Sequence, residues 1–138
     1  MKRYDLDTVM FPVYPKVWAD PVYRADAEAL LTYCASNDVG VQVIKAIARR
    51  PWGDRDTFAR CWYEPQTEDD AIARGIGLAL STPGVTSFAT VGDLTLLPRV
   101  LDAAAAYVPW SDGQREAVIG TMADDPVIFP IAEHFRRD

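Results

Sequence analysis

Lys45 lies near the carboxyl end of an apolar run, Val39 to Ile47, which continues through Ala48 into Arg49 and Arg50. A lysine at the end of a buried strand can serve as a Schiff-base nucleophile or as a phosphate ligand. No paired base lies nearby in sequence, and a lysine that simply reaches solvent is the plain alternative. Asp69 and Asp70 are adjacent, so on a helix they point to different faces and complement the dipole of a first turn rather than form an acid/base pair. His134 is the single histidine and sits in a tail beside Phe135, Arg136 and Arg137, where a surface position is expected. Without it no Ser/His/Asp or Cys/His arrangement can be assembled. Cys34 and Cys61 have neither pairing nor metal-ligand spacing, and no GxGxxG phosphate fingerprint is present.

The segments that would position these groups alternate. Leu6 to Phe11 is a short apolar, β-branched run stopped by Pro12 and Pro15, as expected of a buried strand running into a loop. Asp20-Pro21 supplies an N-cap and a first-turn proline, and Val22, Leu30, Tyr33 and Cys34 predict a helix over 21–37. Val39 to Ile47 is the next strand, its alternation weak because both faces of a parallel strand are covered. The stretch from Arg50 to Pro65 is long and aromatic, with Trp52, Phe58, Trp62 and Tyr63. Loops of this length bind ligands or act as lids, and here anchoring of the loop to neighbouring helices is the favoured role of its rings.

Thr67 before an acidic first turn, with Ile72, Ile76 and Leu80 behind it, predicts a helix ending near Ser81 and Pro83-Gly84. Val85 to Ala89 is a third strand. Thr90-Val91-Gly92-Asp93 turns into a helix starting near Thr95, with Leu97, Leu101, Ala104 and Val108 expected on its buried face. Ser111 and Gln114 form a capping box for a last helix carrying Val118, Ile119 and Met122.

Three βα units in series imply a parallel sheet with right-handed crossovers. A (β/α)8 barrel takes about 250 residues, roughly 30 per unit, so 138 residues with three units read as one partial barrel domain, 1–138. Whether Met1 is a biological start is left open. Composition is that of a soluble globular chain, at 49% hydrophobic and 25% charged. No apolar run approaches the ~20 residues of a membrane helix, and a net charge of −6 argues against nucleic acid or an anionic membrane as partner. Absence of a signal-peptide core and two unpaired cysteines suit the cytoplasm.

The series YDLDTVMFPVYP, a helix, VGVQVIKAIARRPWG, then TEDDAIARGIGLALSTPGVTSFATVGDLTLLPRVLDAA resembles the last three strands and helices of an aldo/keto reductase, over about residues 4 to 107. The MFP run and the IKAIA turn are most similar to the branch of predicted oxidoreductases. The resemblance implies a TIM (β/α)8 barrel, here its last three βα units plus a C-terminal helix, and NADP-dependent reduction of aldehydes or ketones, with NAD as the alternative cofactor.

The family's catalytic Asp, Tyr, Lys and His come from earlier strands and have no counterpart here, so no turnover is expected of this chain alone. The cofactor-binding positions implied are Lys45, Ala46, Ile47, Ala48 and Arg49, facing the diphosphate, and Thr90, Gly92, Asp93 and Arg99, near the adenosine 2′-phosphate. Met10 replaces a glutamine that holds the nicotinamide amide, and Ile44 replaces a tyrosine that stacks on its ring; strand-core roles are the plainer reading of both. The basic residue of the family's last turn is missing, which leaves NADP against NAD open. A carbonyl substrate would bind only in the complete barrel. The second reading is a non-catalytic assembly module that docks through its open sheet edges, as a homo-oligomer or with a complementary barrel part.

Overall fold

The computed structural model describes residues 5–122 and 124–129. The elements run β1 (Thr8–Pro12), α1 (Pro15–Trp18), α2 (Pro21–Ser36), β2 (Gly40–Ile44), β3 (Ala48–Arg50), β4 (Glu64–Pro65), α3 (Asp69–Ser81), β5 (Ser87–Phe88), α4 (Leu97–Ala105) and α5 (Asp112–Ile119), closed by a 3-10 turn, Gly120–Met122. Strands β1, β2 and β5 form an open parallel sheet in that order. Consecutive βα units are therefore neighbours in space, as short connections bring about.

The pleat sorts the sheet into two unlike faces. Phe11, Val43 and Phe88 share one row. With Val9 and Val41 they join a single buried cluster that takes Ala27, Leu31 and Cys34 from α2, Ile72 and Ile76 from α3, and Val100 from α4. The next row on the other face is Met10, Gln42 and Ser87, and there Met10 is 55% exposed. A parallel sheet normally has both faces covered; here, among the described residues, Met10 and Ser87 on the second face are exposed and Gln42 is half-buried. Met10 is thus not a core residue in this chain, against expectation.

Local chemistry accounts for most element boundaries. The Asp20 carboxylate accepts the N–H groups of Val22 and Tyr23 at 2.9 and 3.1 Å, with Pro21 in the first turn of α2. The capping box of α5 is complete: Gln114 Oε1 accepts the Ser111 N–H at 2.9 Å, and Ser111 Oγ accepts the Gln114 N–H. No helix among the described residues is long and apolar enough to cross a membrane.

Three expectations are corrected. The second strand stops at Ile44 rather than Ile47, because Lys45 turns to a left-handed φ of +70° and the Ala48 N–H closes a turn on the Lys45 carbonyl at 2.7 Å. The chain then reverses into β3, which pairs antiparallel with β4 and brackets the aromatic loop. Around α4 the buried positions are Leu96, its N-cap, and Val100, while Leu101 and, beyond the helix, Val108 are 52% and 64% exposed. The run LTLLPRVLDAAAA is apolar on adjacent stripes, so periodicity alone could not choose the inward one. Last, the one-turn α1 that buries Val17 and Trp18 falls where only a proline-bounded loop was expected. His134 lies outside the described residues.

Candidate functional site

The carboxyl ends of β1, β2 and β5 lie at one end of the sheet, and the loops that leave them form a rim. Lys45 stands just past the end of the middle strand. Its Nζ lies 4.3 Å from the Trp62 ring centroid and 4.9 Å from that of Tyr63. The ring quadrupoles attract the ammonium, while burial pulls its pKa below the usual lysine value and a Cys61 thiolate would oppose that shift. Glu64 and Asp125, the nearby acids, are held by arginines. Among the described residues Lys45 forms no ion pair of its own. A half-buried ammonium with aromatic faces and no carboxylate is the least compensated charge of the rim.

The turn after Lys45 is rigid. Ala46, Ile47 and Ala48 are buried, and the Ala48 N–H is spent inside the turn. Helix α3 rests directly on it: a Cβ at Gly75 would run into the Ala46 carbonyl oxygen. Sequence reading had assigned that glycine no role. Arg49 and Arg50 do not project as isolated cations. Glu64, only 5% exposed, accepts from Arg50 Nε and Nη2 at 2.8 and 2.9 Å and from Arg55 Nε at 2.7 Å, with Arg49 Nη1 at 3.4 Å. This fork-on-fork geometry holds the Glu64 carboxyl below its ordinary pKa, Arg50 contributing most. Arg49 also approaches Asp125 at 3.6 Å and keeps a 41% exposed side chain. It borders a pocket of about 280 Å³ shared with Gln66, Glu68, Arg74 and Asp125.

At the third strand, Thr90 and Gly92 are exposed but Asp93 is 4% exposed and turned inward. Its carboxylate accepts the Thr95 hydroxyl, the N–H groups of Arg60, Thr95 and Leu96, and its pKa is held down to about 2, chiefly by the Thr95 hydroxyl. Asp93 is a cap for the turn into α4, not an open ligand. Arg99 donates from Nε to Asp69 at 2.7 Å on the outer surface, tying α4 to the first turn of α3. The nine expected positions therefore divide. Ala46, Ile47 and Thr90 border one small cavity, Arg49 opens on a different pocket, Ala48 is buried, Lys45 faces the Trp62 and Tyr63 rings and Gly92 is exposed, while Asp93 and Arg99 are already engaged.

Most rings of the aromatic loop anchor it, as expected. Trp52 donates its indole N–H to the Cys61 carbonyl at 2.7 Å and takes the edge of Phe58, and Tyr63 is buried, so these anchor the loop. Trp62 does not: it is 57% exposed and meets Phe129 at 5.2 Å with a 57° tilt. Neither Glu64 nor Phe129 stood out in the sequence; only the excess of arginines at 49, 50 and 55 hinted at a buried acid. On the helical side, a groove of about 450 Å³ is lined by Trp18, Arg24, Leu31, Thr82 and Ile119 among others. Arg24 there is already bound by Glu28 and Glu116. No family model, no curated protein and no solved structure matches this chain.

Proposed function

We propose that the chain is the carboxyl-terminal arc of an aldo/keto reductase barrel, supplying cofactor-binding loops for NADP-dependent reduction of an aldehyde or ketone. The observation that carries the reading is the arrangement of the sheet: consecutive parallel strands lie side by side and, among the described residues, the helices pack on one face. Doubly wound sheets cover both faces and reverse strand order. An exposed inner face and sequential order are what an arc of a barrel has.

The rim fits a dinucleotide. Arg49 is held only by long contacts of 3.4 and 3.6 Å, beside a pocket of suitable size, and can turn to a diphosphate. Asp93 directs its charge inward, so Thr90 and Gly92 face outward without a carboxylate opposing a phosphate. The absent basic residue in that turn leaves NAD as the alternative cofactor. When bound, the nicotinamide would supply the hydride; the chain's own contribution is to hold and orient it. The carbonyl substrate would be taken only with the remaining strands in place. The two free cysteines suit a cytoplasmic setting.

Fluorescence titration of the folded chain with NADPH and NADH tests this. Saturable NADPH binding that weakens in Arg49→Met, with no turnover by the chain alone, is expected. Binding of neither nucleotide would sink the reading.

The exposed face favours a second reading, an assembly module that docks on a complementary barrel part or a second copy. The Met10, Gln42 and Ser87 row carries no charge, and open parallel edges associate readily.

A further inference from the structure

We propose that Lys45, Trp62 and Phe129 form a receptor for a carboxylate carried on a planar apolar body, which makes the carbonyl substrate of the proposed reductase an aryl oxo-acid. Only the word substrate rests on the reductase reading; the binding itself does not.

Lys45 presents a cation that the described chain leaves without an anion. Its backbone takes a left-handed φ, and its Nζ lies over the Trp62 and Tyr63 rings, 4.3 and 4.9 Å from their centroids. A non-glycine residue in that conformation carries strain that persists where the surroundings impose it, often at binding sites. Trp62, whose ring the ammonium faces, and Phe129, 5.2 Å from Trp62 and tilted against it, are 57% and 44% exposed. Partly exposed aromatic rings adjoining a cation match a ligand with a flat ring and one negative charge. The rings would bury the ligand's apolar face, and the ammonium would form a charge-assisted hydrogen bond to the carboxylate.

A diphosphate fits this position less well. It carries several charges and no flat apolar surface of its own, and Arg50 and Arg55 are tied to Glu64. A single lysine suits a monoanion.

The test is Trp-fluorescence titration of the whole chain with phenylglyoxylate, benzoate, the neutral isostere benzamide, inorganic pyrophosphate and NADPH. Phenylglyoxylate and benzoate should quench saturably and benzamide should bind at least about tenfold more weakly, the worth of one charge-assisted hydrogen bond. Lys45→Met should show the same loss, and so should Lys45→Gly, whose backbone accepts the positive φ and so keeps the turn. Near-UV circular dichroism matching the parent confirms that the variants are folded. Equal affinity for benzamide, or unchanged benzoate affinity in either folded variant, overturns the proposal. Displacement of benzoate by pyrophosphate or NADPH assigns Lys45 to the cofactor and also overturns it. NADPH binding without benzoate binding removes the receptor and leaves the reductase reading standing. Benzoate binding without NADPH binding supports the receptor and removes the reductase.

Discussion

The Asp93 carboxylate accepts the backbone N–H of Arg60 at 2.6 Å, joining the aromatic loop to the turn that follows the third parallel strand. The same carboxylate caps that turn through Thr95 and Leu96, so one side chain sets the entry to α4 and the position of the loop that carries Trp62. Two of the rim's loops are therefore not independent. Moving one requires breaking bonds to the other, which argues for a preformed rim.

Asp93 gives the chain an acid-sensitive joint. Its pKa is held at about 2 against an ordinary 3.8, by the Thr95 hydroxyl first and the Arg60 N–H next. Between these values the unfolded chain binds more protons than the folded one, so stability rises with pH and is lost as pH falls through the window. Urea unfolding midpoints measured from pH 5 to 2 should fall steeply for the parent chain and less steeply for Asp93→Asn. Parallel slopes in the two proteins would show that Asp93 does not create the dependence.

Glu64 is the centre of the loop's charge network. Replacing it by Gln removes the anion from between Arg50 and Arg55 and leaves their guanidinium groups facing each other with one carboxylate, Asp125, still near Arg50. Breaking a buried pair by removing one partner costs about 3 kcal/mol at the lower end of the measured range, and the partly exposed arginines place this pair there. Asp69→Asn is the control: its pair with Arg99 is as short at 2.7 Å, but Asp69 is 82% exposed, so the loss should stay below about 1 kcal/mol. Chemical denaturation of both variants gives the comparison directly. Equal losses would show that burial of Glu64 contributes nothing.

Much of this fold is legible in the sequence where a local device settles the structure. Asp20-Pro21 and the Ser111–Gln114 pair each specify a helix start through bonds made within a few residues. The strand-helix alternation likewise gives the sheet. The failures have a shared cause, since each depends on partners distant in the chain. Lys45 ends its strand where α3 packs on the turn behind it, and α4 turns Val100 rather than Leu101 inward where it joins Ile72 and Ile76 of α3. At the rim, Lys45 to Arg49 were visible as a basic segment. The aromatic cover of Lys45 and the inward aim of Asp93 were not, because both come from a loop held by bonds across the fold.

The contact between α3 and the rim turn can be tested at Gly75. A methyl group there would strike the Ala46 carbonyl oxygen, a backbone atom that cannot swing away as a flexible side chain would. Gly75→Ala, which in an open helix would gain up to about 1 kcal/mol, should instead destabilise by about 1–3 kcal/mol through overpacking. It should also shift the amide resonances of Ala46 to Ala48. Gly113→Ala is the matched control, because nothing lies near that position, and it should be neutral or stabilising. A stabilised Gly75→Ala would mean that the helix does not bear on the turn.

Met10 separates the needs of the isolated chain from those of an assembly. It sits 55% exposed on the second sheet face, in register with Gln42 and Ser87, so a charge there meets solvent. Met10→Glu should therefore change the unfolding free energy of the chain by less than about 0.5 kcal/mol, the usual range for surface sites. Val43→Ala, a truncation in the same strand pair but on the covered face, where Val43 is fully buried, should cost about 1–2 kcal/mol, since burying a valine side chain contributes about that much. If that second face is where a second chain or a barrel complement docks, a glutamate in its centre would be buried unpaired, and association would weaken by two orders of magnitude or more. Sedimentation velocity of the parent and Met10→Glu over a concentration series reads this. Association equal in both proteins would mean that the face stays open, and docking would then have to use another surface.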